Sequence, residues 1–206
     1  MQSKPFTWQF AWDYPAFRVK FLIGVMVMCL ISFYLQDFFL YIQTRSGIEM
    51  HDVVLSEIPA HDVSLYIFLV LYSFTGFLIW RVIENSSICI TALWGYIFLC
   101  LARMITISLI PLEAPKDLIH LSDPFSILFY GSNLITKDLF FSGHTATLFL
   151  VGLCMEHKRE KYIVFGATVI LGVLLLIQHV HYTADVLAAP VFSYLCWYMG
   201  KTIAKL

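Results

Sequence analysis

Charge is scarce in this chain. Lysine, arginine, aspartate and glutamate make up only 13% of its 206 residues, where soluble domains carry about 25%. The two signs nearly cancel, to a formal net charge of -1, so the basic surface that a nucleic acid requires is missing. A cysteine framework is missing too. The five cysteines (Cys29, Cys89, Cys100, Cys154 and Cys196) are odd in number, form no Cys-x-x-Cys pair and all lie in apolar stretches. They read as small core or lipid-facing residues, not as a disulfide scaffold or a Cys/His zinc site. There is no internal repeat and no low-complexity tract, so one polytopic domain over residues 1–206 is expected.

What is present is apolar surface. Hydrophobic residues reach 60% and aromatics 17%, more than a soluble core of this size can hide but suited to lipid. Crossing the hydrocarbon takes about 17–25 mostly apolar residues, and six stretches approach that length. They are Phe21–Gln43, Ser64–Trp80, Ser86–Ile110, Leu139–Met155, Tyr162–Gln178 and Asp185–Gly200. The expected fold is therefore all-α, an integral membrane bundle of about six transmembrane helices. The first run lacks a small-residue cleavage site, so it reads as an uncleaved helix.

With the N-terminus cytoplasmic, the inner side collects Lys4, Arg18, Lys20, Arg81, Lys158, Arg159, Lys161, Lys201 and Lys205. The outer side keeps Arg45, Lys116 and Lys137. This bias predicts cytoplasmic N- and C-termini. The Asn85-Ser86-Ser87 sequon then lies inside, and its glycosylation would contradict the arrangement.

Ionisable groups in spanning segments are functional candidates, and in this topology three of them reach one level. His144 opens the fourth stretch, His181 lies at the outer end beside the sixth, and Arg103 sits high on the third. His181 and Asp185 are four apart, so on a common helix face they can touch. An aspartate that accepts from one imidazole nitrogen fixes the tautomer and makes the other a better base or nucleophile. Ser142-Gly143-His144 opens a helix, where glycine admits an anion to free backbone N–H groups; plain capping by Ser142 is the simpler reading. Arg103 either faces an anionic ligand or snorkels to the interface. His179 forms a His-x-His with His181, but on a helix the two point apart, so it reads as a bystander.

Asp138-Leu-Phe-Phe-Ser-Gly-His-Thr145, followed by His181-Tyr-Thr-Ala-Asp-Val186, resembles the sphingomyelin synthase family. That family lies within the phosphatidic acid phosphatase type 2 superfamily of lipid phosphatases and phosphotransferases. Arg103-Met-Ile-Thr106 is similar to a further motif of the synthases, so the likeness spans roughly residues 103–190. Leu174 and Leu175 stand where the phosphatases often have a Ser-Arg pair, which steers toward the synthase branch.

The resemblance implies a phosphotransferase acting between membrane lipids, with a phospholipid donor and a diacylglycerol or ceramide-like acceptor. It implies His181 as nucleophile, oriented by Asp185, and His144 as acid and base, with no metal or other cofactor. Arg103, Ser142, Gly143, Asp138 and Tyr182 would bind substrate, on the extracytoplasmic side. Loop residues 112–137 are expected to cover the site and to decide between alcohol and water as acceptor. A lipid phosphatase or phospholipase C-type hydrolase would use the same groups, and homo-oligomerisation stays open. Other classes remain in view: an intramembrane serine protease with a Ser142–His181 dyad, or a haem or metal binder using His144, His179 and His181.

Overall fold

The structure is a computed structural model that describes residues 7–121 and 135–205. The described residues hold eight helices: α1 (Trp8–Asp13), α2 (Pro15–Thr44), α3 (Val53–Ser56), α4 (Ser64–Glu84), α5 (Ser86–Leu109), α6 (Gly143–Cys154), α7 (Lys158–Ile177) and α8 (Thr183–Ala204). The described residues contain no strand, and their single β-bridge joins Ile48 to Leu112. The all-α expectation holds.

Four helices, α2, α4, α5 and α7, are long and apolar enough to cross a membrane. The expected six are not all of one kind. The fourth stretch shrinks to the 12 residues of α6, about 18 Å at 1.5 Å per residue, well short of a hydrocarbon layer about 30 Å thick. Its first apolar residues are buried loop. Leu139 and Phe141 are 2% and 1% exposed, and Phe140 has φ of 110°, a backbone state closed to α-helix. A hydropathy scan cannot distinguish such a buried loop from a helix turn. The sixth stretch, α8, is long at 22 residues and holds Pro190 inside it, but it falls outside the four.

The bundle is organised around α5 and α8, its most extensively packed pair. They cross at glycine. A Cβ on Gly200 would lie 2.5 Å from the Gly95 nitrogen, so only the absence of a side chain permits this backbone approach. The largest core cluster, with Leu99, Leu148, Leu171, Leu175 and Ala189, joins α4 through α8. Helix α2 lies outside against α5 and keeps Leu22, Met26, Leu30 and Phe33 exposed. A helix with this much uncovered apolar surface is explained by lipid.

At one end of the bundle Arg81 pairs with Glu84 at 2.6 Å and with Glu160 at 3.4 Å, tying α4 to α7, and the Lys20 ammonium donates to the Lys205 carbonyl. Asn85 at this end is 2% exposed and caps α5 by accepting from Ser87 N–H at 2.9 Å. The sequon is therefore a structural cap, and a missing glycan there would not reveal orientation.

Candidate active site

The opposite end is where the ionisable residues gather. Helix α7 stops in a Schellman turn: His179 N–H donates to Leu176 O at 3.0 Å and Val180 N–H to Leu175 O at 3.1 Å. His179 holds the left-handed position, with φ of 55°, where glycine is usual. Its ring nitrogens sit 3.0 Å from Lys116 O and 2.8 Å from Ile58 O. His179 thus fastens two loops to the end of α7, a structural role its bystander reading did not include. Gln178 adds to the seam, donating to Ser64 Oγ at 2.7 Å and accepting from Val63 N–H at 3.2 Å.

After this turn the chain places His181 just before α8. Its Nδ1 lies 3.3 Å from Asp185 Oδ2, and the same oxygen accepts from Tyr182 N–H at 3.2 Å. His181 and Asp185 are 3% and 1% exposed. The Asp185 backbone carbonyl accepts from Ser142 N–H at 3.0 Å. One main-chain bond therefore ties the start of α8 to the start of α6.

That contact brings the two histidine motifs onto one cavity of about 790 Å³. His144, His181, Arg103, Gly143 and Asp138 all line it, with Leu118–Leu121, Ile135 and Thr136 from the connecting loop. Much of the loop expected to cover the site, residues 122–134, lies outside the described residues.

Arg103 does not snorkel. Its side chain is 11% exposed and donates from Nη1 to Phe141 O and from Nη2 to Asp138 Oδ1. The guanidinium also stands 5.3 Å from the Phe141 ring centre, and Phe141 stacks on Phe192 at 4.5 Å. Guanidinium has five N–H donors, so these partners aim the group without using all of them. Asp138 is better read as the residue that orients Arg103 than as a contact for an anion, which it would repel. Gly143 makes the arrangement possible, since a Cβ there would lie 2.8 Å from Arg103 Cζ.

Two of the expected substrate contacts are placed elsewhere. Ser142 is fully buried, absent from the cavity wall, and caps α6: its Oγ accepts from Thr145 N–H at 3.3 Å and from Thr145 Oγ1 at 3.1 Å. Occupied in this way, it lacks the His181 contact that a serine protease dyad needs. Tyr182 is 2% exposed and also off the wall; its hydroxyl donates to Glu113 O at 3.0 Å and accepts from Met50 N–H at 3.3 Å. Both residues hold framework. His179 likewise engages loop carbonyls, not the cavity, so the three-histidine metal set is not assembled.

Asp52 belongs to none of the motifs above, yet it anchors α8. Its Oδ2 accepts from Thr183 N–H at 2.6 Å and its Oδ1 from Thr183 Oγ1 at 3.1 Å, while Val54 and Leu55 N–H donate to it at 3.1 Å each. Burial pushes its carboxyl up, but the hydrogen bonds from Thr183, Leu55 and Val54 outweigh that and hold it below its ordinary 3.8. A lowered folded-state value means this stabilisation is complete above the unfolded pKa and is lost as pH falls through the folded one. Thermal stability should therefore drop in acid below about pH 4. Asp52→Asn should lower the midpoint at neutral pH and shrink that acid-dependent drop, as a melting series across pH will measure.

Residues 137–202, about a third of the chain, match the family model described as PAP2 superfamily C-terminal. The matched segment carries Asp138, Gly143, His144, His181 and Asp185, while Arg103 lies before it. No curated protein and no solved structure matches the chain. The match supports the PAP2 superfamily, whose members are lipid phosphatases and phosphotransferases, and carries no finer assignment.

Proposed function

With the superfamily match as premise, we propose that this chain is a sphingomyelin synthase-like lipid phosphotransferase that moves a phospho-headgroup from a phospholipid to a lipid alcohol. The observation that carries the reading is the single cavity shared by the Asp185-paired His181, by His144 and by the partly buried guanidinium of Arg103.

Asp185 engages Nδ1, so Nε2 of His181 is the nucleophilic atom. It attacks phosphorus, forming an N–P bond as the P–O bond to the donor's lipid alcohol breaks. His144 gives that departing oxygen its proton. The acceptor alcohol then loses its proton to His144, its oxygen attacks phosphorus, and the N–P bond breaks to restore His181. Arg103 and the backbone N–H groups at the start of α6 stabilise the phosphoryl oxygens as charge builds.

An alcohol acceptor rather than water is supported by Leu118, Ile119, Leu121 and Ile135, which line the cavity from the connecting loop alongside the polar His120 and Thr136. The extracytoplasmic orientation belongs to the same proposal, and the basic residues at the other end of the bundle support it.

Purified protein incubated with a phosphorus-labelled phospholipid and a diacylglycerol or ceramide acceptor should yield a new phospholipid by mass spectrometry. Vanadate should inhibit the reaction, and a fluorophosphonate should leave Ser142 unlabelled. Headgroup release to water as the only product would replace transfer by hydrolysis. Unchanged lipid with every acceptor would end the proposal.

A further inference from the structure

The reactive groups occupy only the top of the cavity. Below them its walls continue down the bundle at helical spacing. Thr147, Val151 and Cys154 line it on α6, Leu99 and Ala92 on α5, and Leu78 on α4. Cys154 is ten positions below His144, a drop of about 15 Å along the helix. Ala92, Leu78 and Cys154 are the deepest lining residues of their helices, and together they make an apolar floor.

The capacity is limited. At about 790 Å³ the whole cavity falls within the roughly 300–1,000 Å³ of sites built for one small molecule. That scale suits a phosphoryl group together with a single hydrocarbon chain.

The cavity also has a side toward lipid. It is bounded there by Leu35, Phe38 and Phe39 of α2 and by Thr75 of α4. Both helices pack on α5, but among the described residues they share no packed face with each other. Thr75 is exposed as well as cavity-lining. The residues that line the cavity at this gap, Leu35, Phe38, Phe39 and Thr75, carry no charge.

Resting on the phosphotransfer reading above, we propose that the cavity is a single-chain acyl chamber, filled sideways between α2 and α4, in which Ala92, Leu78 and Cys154 set the chain length. One tail of the lipid phosphoester lies against α6 with its phosphorus at His181, and the second tail stays in the membrane beside α2. Chains longer than the chamber must bend back or leave methylenes outside, and gain nothing further in affinity.

The test is a binding series that needs no turnover. Lysophosphatidylcholines from octanoyl to stearoyl are titrated against the purified protein, with thermal stabilisation as the readout. Stabilisation should rise with chain length and then level off. Ala92→Phe raises the floor and should move the plateau to shorter chains, cutting the ratio of long-chain to short-chain affinity roughly tenfold for two excluded methylenes. Leu78→Phe gives the same reading from the opposite wall if Ala92→Phe does not fold. Stabilisation independent of chain length, or an unmoved plateau in a folded variant, would overturn the chamber. A plateau that moves in a protein that turns over no phosphoester supports the chamber and removes the transferase reading instead.

Discussion

His181→Ala is expected to abolish turnover, with a loss on the order of 10⁶-fold, the scale seen when a covalent nucleophile is removed. His144→Ala should fall by about 10²- to 10⁴-fold, the share carried by a general acid and base. Asp185→Asn should be milder than His181→Ala, for a geometric reason. Asp185 Oδ2 accepts from both Tyr182 N–H and His181 Nδ1, so an asparagine retains both bonds by putting its amide oxygen there. The tautomer survives and the negative charge that supports a cationic imidazole is lost. Asp185→Ala removes both and should approach His181→Ala. Turnover rates of folded, monodisperse variants on a labelled phospholipid check this order; full activity in His181→Ala would contradict it.

Gly143→Ala should reach the low end of the His144→Ala range although it adds one methyl group. The new carbon would stand 2.8 Å from Arg103 Cζ, against about 3.5–4.0 Å for relaxed carbon contacts. The guanidinium must withdraw by roughly 1 Å, a misplacement that can cost about 10²-fold. The fold should survive, because the Ser142 cap and the Ser142–Asp185 main-chain bond do not involve a Gly143 side chain. The signature is thus a fall in kcat at nearly unchanged melting temperature. An Arg103→Lys variant tests the same geometry from the other side, since an ammonium cannot reproduce the forked contacts to Phe141 O and Asp138. A Gly143→Ala enzyme with wild-type kcat would show that the guanidinium does not act on the reacting group.

How much of this could be read beforehand differs by residue. The four apolar helices were legible because a lipid-facing helix declares itself by composition. The short reach of α6 was not, because buried loop residues such as Leu139 and Phe141 are as apolar as a helix interior. The i, i+4 spacing foretold the His181–Asp185 contact but not its form: His181 stands before the N-cap Tyr182, and Asp185 reaches back to both from the first turn of α8. Asp52 was missed because its partner Thr183 is 131 positions away and no periodicity encodes a tertiary cap. Ser142 and Tyr182 lie in motifs and therefore looked like ligands; burial and hydrogen bonding assign them to the framework. His179 had no visible purpose until the left-handed turn and the two loop carbonyls were seen together.

The most direct measurement is chemical trapping of the protein during turnover of a lipid labelled at phosphorus, quenched in alkali and mapped by peptide mass spectrometry. The account predicts label on His181, stable in base and lost in acid, absent from His181→Ala and accumulating when no acceptor alcohol is supplied. Steady turnover with no label on the chain, or label carried by another side chain such as Ser142, would contradict it.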